Sequence, residues 1–142
     1  MKIYFYKTTD KYGEFSNFSK YGFELDGEYW KTSEHYFQAQ KFENLAIKER
    51  IRNAKTPMEA AKLGRNRNYP LREDWEEVKD DVMRKAVLQK FETHSELKEL
   101  LLSTGGKLLI EDTQHDYYWG CGKDGTGKNV LGKILMEIRN SL

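Results

Sequence analysis

The stretch FELDGEYWKTSEHYFQAQKFENLAIKERIRN, residues 23–53, decides the fold class because its pattern changes partway along. Its first eight residues place Asp26-Gly27 between two short β-prone runs, which is typical of a β-hairpin. The apolar spacing then becomes helical, and Thr32 or Ser33 is the expected N-cap of one long helix that continues to the end of the stretch. A hairpin followed directly by a helix predicts an α+β fold.

The remaining elements follow the same two patterns and make the chain predominantly helical. They are a strand over residues 2–7, a helix from the capping box at Thr56 to Gly64, a helix from just after Pro70 to Phe91, a helix capped by Ser95, a short strand over residues 108–110 and a C-terminal helix capped by Asn129. We therefore predict a predominantly helical α+β single domain over residues 1–142, with a small antiparallel β-sheet.

Composition excludes several classes of protein. The chain has 142 residues, and its 24 basic and 23 acidic side chains leave a net charge of +1, which does not favour nucleic-acid binding by bulk electrostatics. Cys121 is the single cysteine, so an internal disulfide is excluded and a reducing compartment is favoured. The N-terminal MKIYFYKTTD is too short and polar for a signal peptide, and no apolar run could span a membrane. We expect a cytoplasmic protein.

A glycine-rich loop, WGCGKDGTGKN over residues 119–129, precedes the C-terminal helix. The run from Gly122 to Lys128 approaches the phosphate-binding pattern G-x-x-x-x-G-K-[ST], but Asn129 stands where the pattern requires a hydroxyl for magnesium. A P-loop also lies early in its domain, whereas this loop lies near the end of the chain. Two interpretations stay open, an anion site made of free N–H groups at a helix N-terminus or a tight turn with several positive φ angles.

Three polar residues share one face of the first predicted helix. Glu34, Gln38 and Lys41 lie at i, i+4 and i+7, while Tyr36 and Phe37 occupy other sides. A helix that is apolar on most sides is normally buried, so its polar stripe faces a partner or a cavity. Glu34 lies in the first turn, where the helix dipole favours an ionised carboxylate. It is a candidate for orienting water or stabilising positive charge, and the alternative is an ordinary first-turn acid.

Aromatic and acidic residues add further candidates. Trp30, Trp75 and Trp119 lie at element boundaries, where an indole either stacks on a base or packs in the core. Asp116 precedes the glycine loop and is a second carboxylate, a group that binds a ribose hydroxyl, or a turn residue. The three histidines lack metal-ligand spacing, so we expect no metal site. Basic residues able to bind phosphate include Lys41, Arg65, Arg72, Lys123 and Lys128.

Several motifs together are specific enough to identify a family. They are GEFSNF (13–18), WKTSEHYFQAQKF (30–42), AAKLGR (60–65), LREDW (71–75), KDDVMRKAVLQKF (79–91) and LIEDTQHDYYWGCGKDGTGKNVLGKILMEIR (109–139). With these motifs, which span nearly its whole length, the chain resembles the YbiA-like, or NADAR, family of N-glycosidases. The resemblance implies hydrolysis, without a cofactor, of the bond between ribose and a base-like nitrogen. It points to ribosylaminopyrimidine phosphates, which are early intermediates of the riboflavin pathway.

The resemblance also implies roles for particular residues. Glu34 in SEHYFQAQKF would be the key carboxylate, and Asp116 in HDYYWG would be the second acidic residue of the site. The substrate-binding residues would be Asn17, Trp30, Gln38, Lys41, Arg65, Arg72, Trp75, Trp119, Gly120, Gly122, Lys128 and Asn129. Cys121 departs from the family pattern, in which an acidic or polar residue is common at that position.

Two other functions stay open. The family is also linked to ADP-ribose, so the alternative substrate is ADP-ribosylated guanine or nucleic acid, and nucleic acid is expected as a partner only in that modified form. The nearly neutral charge favours a small nucleotide-like molecule. The second alternative is a catalytically silent sensor of ADP-ribose or a related nucleotide. The presence of both Glu34 and Asp116 argues against such a sensor.

Overall fold

The computed structural model describes residues 1–142, and it contains six α-helices, one 3₁₀ helix and four short strands. The elements are β1 (Lys2–Phe5), the 3₁₀ helix (Gly13–Phe15), β2 (Phe23–Leu25), β3 (Glu28–Trp30), α1 (Ser33–Ala39), α2 (Leu45–Arg52), α3 (Pro57–Gly64), α4 (Trp75–Thr93), α5 (Ser95–Ser103), β4 (Leu108–Glu111) and α6 (Val130–Ser141). The predicted α+β, mostly helical class is confirmed. None of the helices combines the length and the apolar character that crossing a membrane requires.

The chain forms two compact units. The terminal unit consists of Met1–Ser19 and Phe91–Leu142, and the central unit consists of Lys20–Lys90. The expectation of a single domain over residues 1–142 stays a prediction.

The central unit begins with the predicted hairpin. The β2 and β3 strands pair antiparallel, with Phe23 opposite Trp30. Asp26 and Gly27 form the turn with φ angles of 56° and 80°, as a two-residue turn with left-handed backbone requires. The Asp26 carboxylate also accepts hydrogen bonds from the Tyr36 hydroxyl and the Lys85 ammonium, each at 2.7 Å. The turn is thereby tied to both α1 and α4.

The long helix predicted from residue 32 to residue 53 is wrong, because the chain forms two helices there. The first, α1, ends at Ala39, and Asn44 caps α2 by accepting a hydrogen bond from the backbone N–H of Ile47 at 3.0 Å. Between them Phe42 turns into the core, where its ring meets the ring of Tyr69 edge-on at 5.7 Å. Asparagine competes with helical hydrogen bonds through its own side chain, which is why it begins a new helix here.

The core of the central unit lies between the hairpin and the first helices. Its fully or nearly buried members are Phe23, Trp30, Tyr36, Ala39, Phe42, Ile51, Ala54, Ala60 and Ala86. The small alanines of α1 and α3 allow these helices to approach each other closely. This packing positions the polar residues of α1 described below.

The terminal unit contains a second sheet, which is parallel, whereas only a small antiparallel sheet was predicted. The β1 and β4 strands pair in parallel, with Ile3 opposite Leu109 and Phe5 opposite Glu111. Parallel strands cannot be joined by a tight turn, and most of the chain lies between these two. The α6 helix packs on β4 so closely that a side chain at Gly132 would overlap the carbonyl oxygen of Leu109.

Asn129 connects α6 to β4. It occupies the N-cap position with a φ of 51°, but its side chain makes no capping bond. Its Oδ1 accepts from the N–H of Glu111 at 3.0 Å, and its Nδ2 donates to the carbonyl oxygen of Leu109 at 2.9 Å. The amide therefore serves as a bridge between a helix and a strand rather than as a helix cap.

Replacing Asn129 with alanine is expected to lower the free energy of unfolding by about 2 kcal/mol, because two hydrogen bonds worth roughly 1 kcal/mol each are lost. Asn129→Gly is the matched control, since glycine adopts a positive φ without strain but also lacks the amide. We expect the glycine variant to fall between the wild type and the alanine variant in chemical denaturation. An alanine variant as stable as the wild type contradicts this role.

Candidate active site

Glu34 and Gln38 lie one turn apart on α1 and are bonded to each other. The helix begins at Thr32, whose Oγ1 accepts a hydrogen bond from the backbone N–H of His35 at 3.2 Å. Gln38 Nε2 donates to Glu34 Oε2 at 2.7 Å, and the two residues are only 4% and 7% exposed. A buried carboxylate held by a buried amide has a restricted orientation, as a catalytic acid or base requires.

The side-chain oxygen of Gln38, Oε1, explains why the neighbouring helix has a glycine at position 64. Gln38 Oε1 is buried and accepts no hydrogen bond, which costs about 1–3 kcal/mol for an unsatisfied group. This oxygen faces Gly64 in α3, and a Cβ added at Gly64 would lie 2.7 Å from Cδ of Gln38. Gly64 is the last residue of α3, where the sequence predicted the helix to end, and Arg65 is the C-cap. Close packing, not a positive φ, therefore requires the glycine.

Lys41 lies just beyond the end of α1, and it approaches two aromatic rings. Its Nζ is 5.8 Å from the ring centroid of Phe37 and 6.0 Å from that of Trp75, and the two rings are 5.1 Å apart. Burial lowers the pKa of Lys41, the charge of Glu34 opposes this, and the charge of Arg65 adds to it, so the pKa is below its ordinary value. Lys41 thus lies near Trp75 and interacts electrostatically with Glu34.

A cavity of about 360 Å³ opens beside Lys41. Three basic residues line it, Lys41, Arg65 and Arg67, and no acidic residue does. Aromatic side chains, including Tyr69 and Trp75, form part of its wall. Arg67 and Tyr69 were not among the predicted site residues, although the basic stretch RNR directly after Gly64 was a signal for Arg67.

Arg72 lines a different cavity, of about 530 Å³, to which Glu43, Glu73 and Asp74 also contribute. The guanidinium donates to both carboxylate oxygens of Asp74, from Nε at 2.6 Å and from Nη2 at 3.0 Å. Such a two-bond pair already satisfies the charge of the arginine. The predicted phosphate contact of Arg72 stays a prediction, and its surroundings do not favour it.

Trp30 occupies the core rather than a cavity wall. It is 3% exposed, and its indole N–H donates to the carbonyl oxygen of Leu25 at 3.0 Å. Its ring meets the ring of Tyr36 edge-on at 5.1 Å. Of the two roles considered for this tryptophan, core packing agrees with the geometry.

His35 is a structural residue of α1. It is fully buried, with Nδ1 2.7 Å from Thr32 Oγ1 and Nε2 3.0 Å from the carbonyl oxygen of Ala54. The carbonyl can only accept, so Nε2 carries a proton and Nδ1 accepts from the threonine hydroxyl. Burial lowers the pKa of His35, although the hydrogen bond to Ala54 opposes the shift.

The lowered pKa of His35 predicts a loss of stability in mild acid. The unfolded state binds a proton near pH 6.5 and the folded state only at lower pH, so unfolding takes up protons in between. The stabilisation is complete above pH 6.5 and decreases as the pH falls towards the folded pKa. Urea unfolding between pH 5 and pH 8 measures this, and we expect His35→Asn to flatten the dependence. His115→Asn, at an exposed position, is the control and should leave the dependence unchanged.

In the terminal unit, Asp116 forms a turn with the two aromatic residues that follow. Its Oδ1 accepts from the N–H groups of Tyr118 at 3.0 Å and Trp119 at 2.8 Å, whereas Oδ2 has no hydrogen bond. The rings of Tyr118 and Trp119 are perpendicular, with centroids 4.9 Å apart, and the Lys128 ammonium lies 5.5 Å from the ring of Tyr118. Asp116 thus serves as a turn residue through one oxygen and leaves the other available.

The glycine loop is a tight turn, and the backbone donors where it leads into α6 are occupied. Gly122 and Gly125 have φ angles of 72° and 80°. The N–H groups of Lys128, Asn129, Val130 and Leu131 donate to the carbonyl oxygens of Tyr117, Gly120, Tyr118 and Trp119, respectively, at 2.7–3.1 Å. These are the groups that an anion at the start of α6 would need. Of the two interpretations of the loop, the geometry favours the turn.

Asn17 and Gly120 are two further predicted residues of the terminal unit, and Cys121 follows Gly120 in the loop. Asn17 is buried, and Gly120 packs against the methyl group of Thr113. Cys121 is buried, and its Sγ lies 3.7 Å from Asp112 Oδ1, so burial and the neighbouring acid raise its pKa and disfavour a reactive thiolate. The structure places no three histidine, cysteine or acidic residues where they could hold a metal ion.

Comparison with known proteins connects this arrangement to one family. The family model described as "NADAR domain" matches residues 4–142. The chain is 55% identical to N-glycosidase YbiA of Shigella boydii, over 99% of this chain and 88% of that protein. An NMR structure of the E. coli protein YbiA superposes with a TM-score of 0.91 at 53% identity, covering 99% of this chain and 86% of that one. A more distant maize relative, 44% identical over 99% of this chain and 25% of that protein, is named riboflavin biosynthesis protein PYRR.

Proposed function

Because the chain belongs to the NADAR family and is a glycosidase that hydrolyses N-glycosyl bonds, we propose that its substrate is a ribosylaminopyrimidine phosphate. The riboflavin biosynthesis name of the maize relative supports an intermediate of that pathway. The buried Glu34 carboxylate, which accepts a hydrogen bond from Gln38 and interacts electrostatically with Lys41, is the main support for this assignment of the site.

Glu34 acts at the carbon that loses the nitrogen. Breaking the C1′–N bond leaves positive charge on the ribose ring, as in other glycoside hydrolyses. The carboxylate stabilises this charge and accepts a proton from the water that attacks C1′. The electron pair of the broken bond leaves with the nitrogen, which also receives a proton. The products are a ribose phosphate and an aminopyrimidine.

Gln38 keeps the carboxylate in place for this step. Its Nε2 donates to Oε2 of Glu34 at 2.7 Å, and this hydrogen bond fixes the orientation of the carboxylate. An oriented carboxylate is more effective than a mobile one because it needs no rearrangement as charge develops. Gln38 was expected to bind substrate, and its hydrogen bond favours a positioning role instead.

Aromatic residues provide the surface for the departing base. Trp75 is 5% exposed and borders the cavity beside Lys41, so it is a candidate to contact a planar ring there. In the terminal unit Trp119 is partly exposed and Asp116 keeps one oxygen without a hydrogen bond. Roles for Asp116, Trp119 and Asn17 in binding or catalysis follow from the family resemblance, and single alanine variants assayed for turnover test them.

Mass spectrometry of the reaction products tests the proposed function. We expect the purified protein to release ribose 5-phosphate and the aminopyrimidine from a ribosylaminopyrimidine phosphate. Incubation with ADP-ribosylated guanine is the parallel assay. Release of ADP-ribose alone would show that the reaction class is right and the substrate wrong. Tight binding of either substrate without products would favour the sensor and overturn the enzymatic assignment of this site.

A further inference from the structure

We infer that the 360 Å³ cavity of the central unit binds the terminal phosphate monoester of the substrate, through Lys41, Arg65 and Arg67. This inference rests on the proposed function, because it assigns one part of the substrate to one part of the same unit. It adds Arg67 to the site, and it assigns the phosphate neither to Arg72 nor to the glycine loop.

The lining of the cavity is positively charged. Three basic residues contribute to it, and no acidic residue does. The guanidinium groups of Arg65 and Arg67 form no salt bridge and no hydrogen bond within the protein. Three cations around one concave surface, two of them without an acidic partner, attract an anion, since each one raises the potential felt by the others.

The position of Lys41 also supports the inference. Its ammonium has one backbone acceptor, the carbonyl oxygen of Gly64 at 3.5 Å, which leaves it able to donate to a ligand. Lys41 also interacts electrostatically with both Glu34 and Arg65. One side chain therefore connects the candidate carboxylate with the cationic cavity. A ribose whose C1′ lies at Glu34 would place a phosphate on its own C5′ near Lys41.

The two alternative phosphate sites, at Arg72 and at the glycine loop, are less suited to an anion. Arg72 is paired with Asp74, and three acidic residues line its cavity, so an anion would be repelled there. The backbone donors at the start of α6 are occupied by carbonyl oxygens. The cavity beside Lys41 has neither obstacle.

The terminal phosphate monoester is the chemical class that fits this cavity best. A monoester carries between 1.5 and 2 negative charges near neutral pH, about the same as a phosphorylated side chain, and it has three oxygens to accept hydrogen bonds. Arginine offers paired donors that match such a group, and lysine adds a point charge. A diphosphate that continues into a second nucleoside has no such terminal group. The site therefore favours a ribosyl monophosphate over an ADP-ribosyl group.

Binding of ribose 5-phosphate, compared with ribose, tests the inference by isothermal titration calorimetry. We expect the wild type to bind ribose 5-phosphate and to bind ribose much more weakly. Arg65→Ala and Arg67→Ala should each weaken ribose 5-phosphate binding by about 10-fold to 100-fold, the range for a charge-assisted hydrogen bond. Both side chains are exposed, so the variants should unfold at the wild-type temperature. Arg72→Ala tests the rival phosphate site, and we expect it to bind within about twofold of the wild type because Asp74 already pairs with the guanidinium.

Two results overturn the inference. In the first, Arg72→Ala loses binding of ribose 5-phosphate while Arg65→Ala and Arg67→Ala bind it normally. In the second, ADP-ribose binds more tightly than ribose 5-phosphate and depends equally on Arg67. Because binding is measured without turnover, these outcomes are separate from a failure of the proposed function. If the arginine variants lose ribose 5-phosphate binding and the wild type cleaves no substrate, the phosphate site stands and the enzymatic assignment falls.

Discussion

Glu34→Gln is expected to reduce turnover by roughly 1,000-fold, within the range of about 10²–10⁴ for a side chain that transfers a proton in the transition state. Glutamine has nearly the same shape as glutamate, but it neither stabilises a cationic sugar as a carboxylate does nor accepts a proton. Its side-chain oxygen can still accept the hydrogen bond from Gln38 Nε2 that Glu34 Oε2 accepts at 2.7 Å. The variant should therefore fold normally and still bind substrate. Steady-state turnover with a ribosylaminopyrimidine phosphate measures the effect.

Glu76→Gln is the control for this variant. Glu76 belongs to the same unit and pairs with Lys79 on the surface, where its side chain is 79% exposed. We expect its turnover to equal that of the wild type. A rate for Glu34→Gln within a few-fold of the wild-type rate would falsify the catalytic role of Glu34. Loss of folding, seen as a lower unfolding temperature, would instead assign the carboxylate to stability.

Gly64→Ala is expected to impair both stability and turnover through Gln38. The added Cβ would lie 2.7 Å from Cδ and 2.9 Å from Cβ of Gln38, and it would overlap Oε1. Overpacking of this kind typically costs about 1–3 kcal/mol. The amide of Gln38 can escape the overlap only by moving, which breaks its bond to Glu34. We expect turnover to fall by about 10-fold to 100-fold, the equivalent of one hydrogen bond to a charged group.

The double variant Gly64→Ala with Gln38→Ala separates the two effects. Removing the long side chain relieves the overlaps with Oε1 and Cδ but keeps the 2.9 Å contact with Cβ, so the unfolding temperature should recover in part. Turnover should stay low because no amide holds Glu34. The fall should appear mainly in kcat, since Gln38 touches the carboxylate and not the substrate. Gly106→Ala is the matched control, because nothing lies within 4 Å of a Cβ there. Wild-type turnover in Gly64→Ala would mean that the position of Gln38 does not matter for the reaction.

Short sequence motifs predicted correctly those structural features that depend only on residues close together in the chain. Thr32 and Thr56 begin helices as predicted, because the hydroxyl of each accepts a hydrogen bond from a backbone N–H three residues later. The hairpin turn at Asp26-Gly27 follows from backbone conformations that few other residues adopt. The break after α1 also had a local signal in Asn44, but the helical spacing of apolar residues on both sides obscured it.

The candidate site was only partly predictable. The shared face of Glu34 and Gln38 follows from helical periodicity, and it predicted their proximity without any knowledge of the fold. The requirement for Gly64 depends on how closely α1 and α3 approach, which no spacing reveals. The sequence does not distinguish Arg72 from Arg65 and Arg67, but in the structure only Arg72 has an acidic partner.

Three features therefore follow from the sequence without the fold: the family motif, the starts of the helices and the hairpin, and the pairing of a carboxylate with an amide four residues later. Each of them depends on residues that are neighbours along the chain. Three other features depend on the tertiary structure. They are the parallel pairing of β1 with β4, the occupied backbone donors between the glycine loop and α6, and the cavity that three basic residues and no acidic residue line. These depend on which distant groups meet, since a backbone N–H or a charged side chain is available to a ligand only when the fold leaves it without a partner.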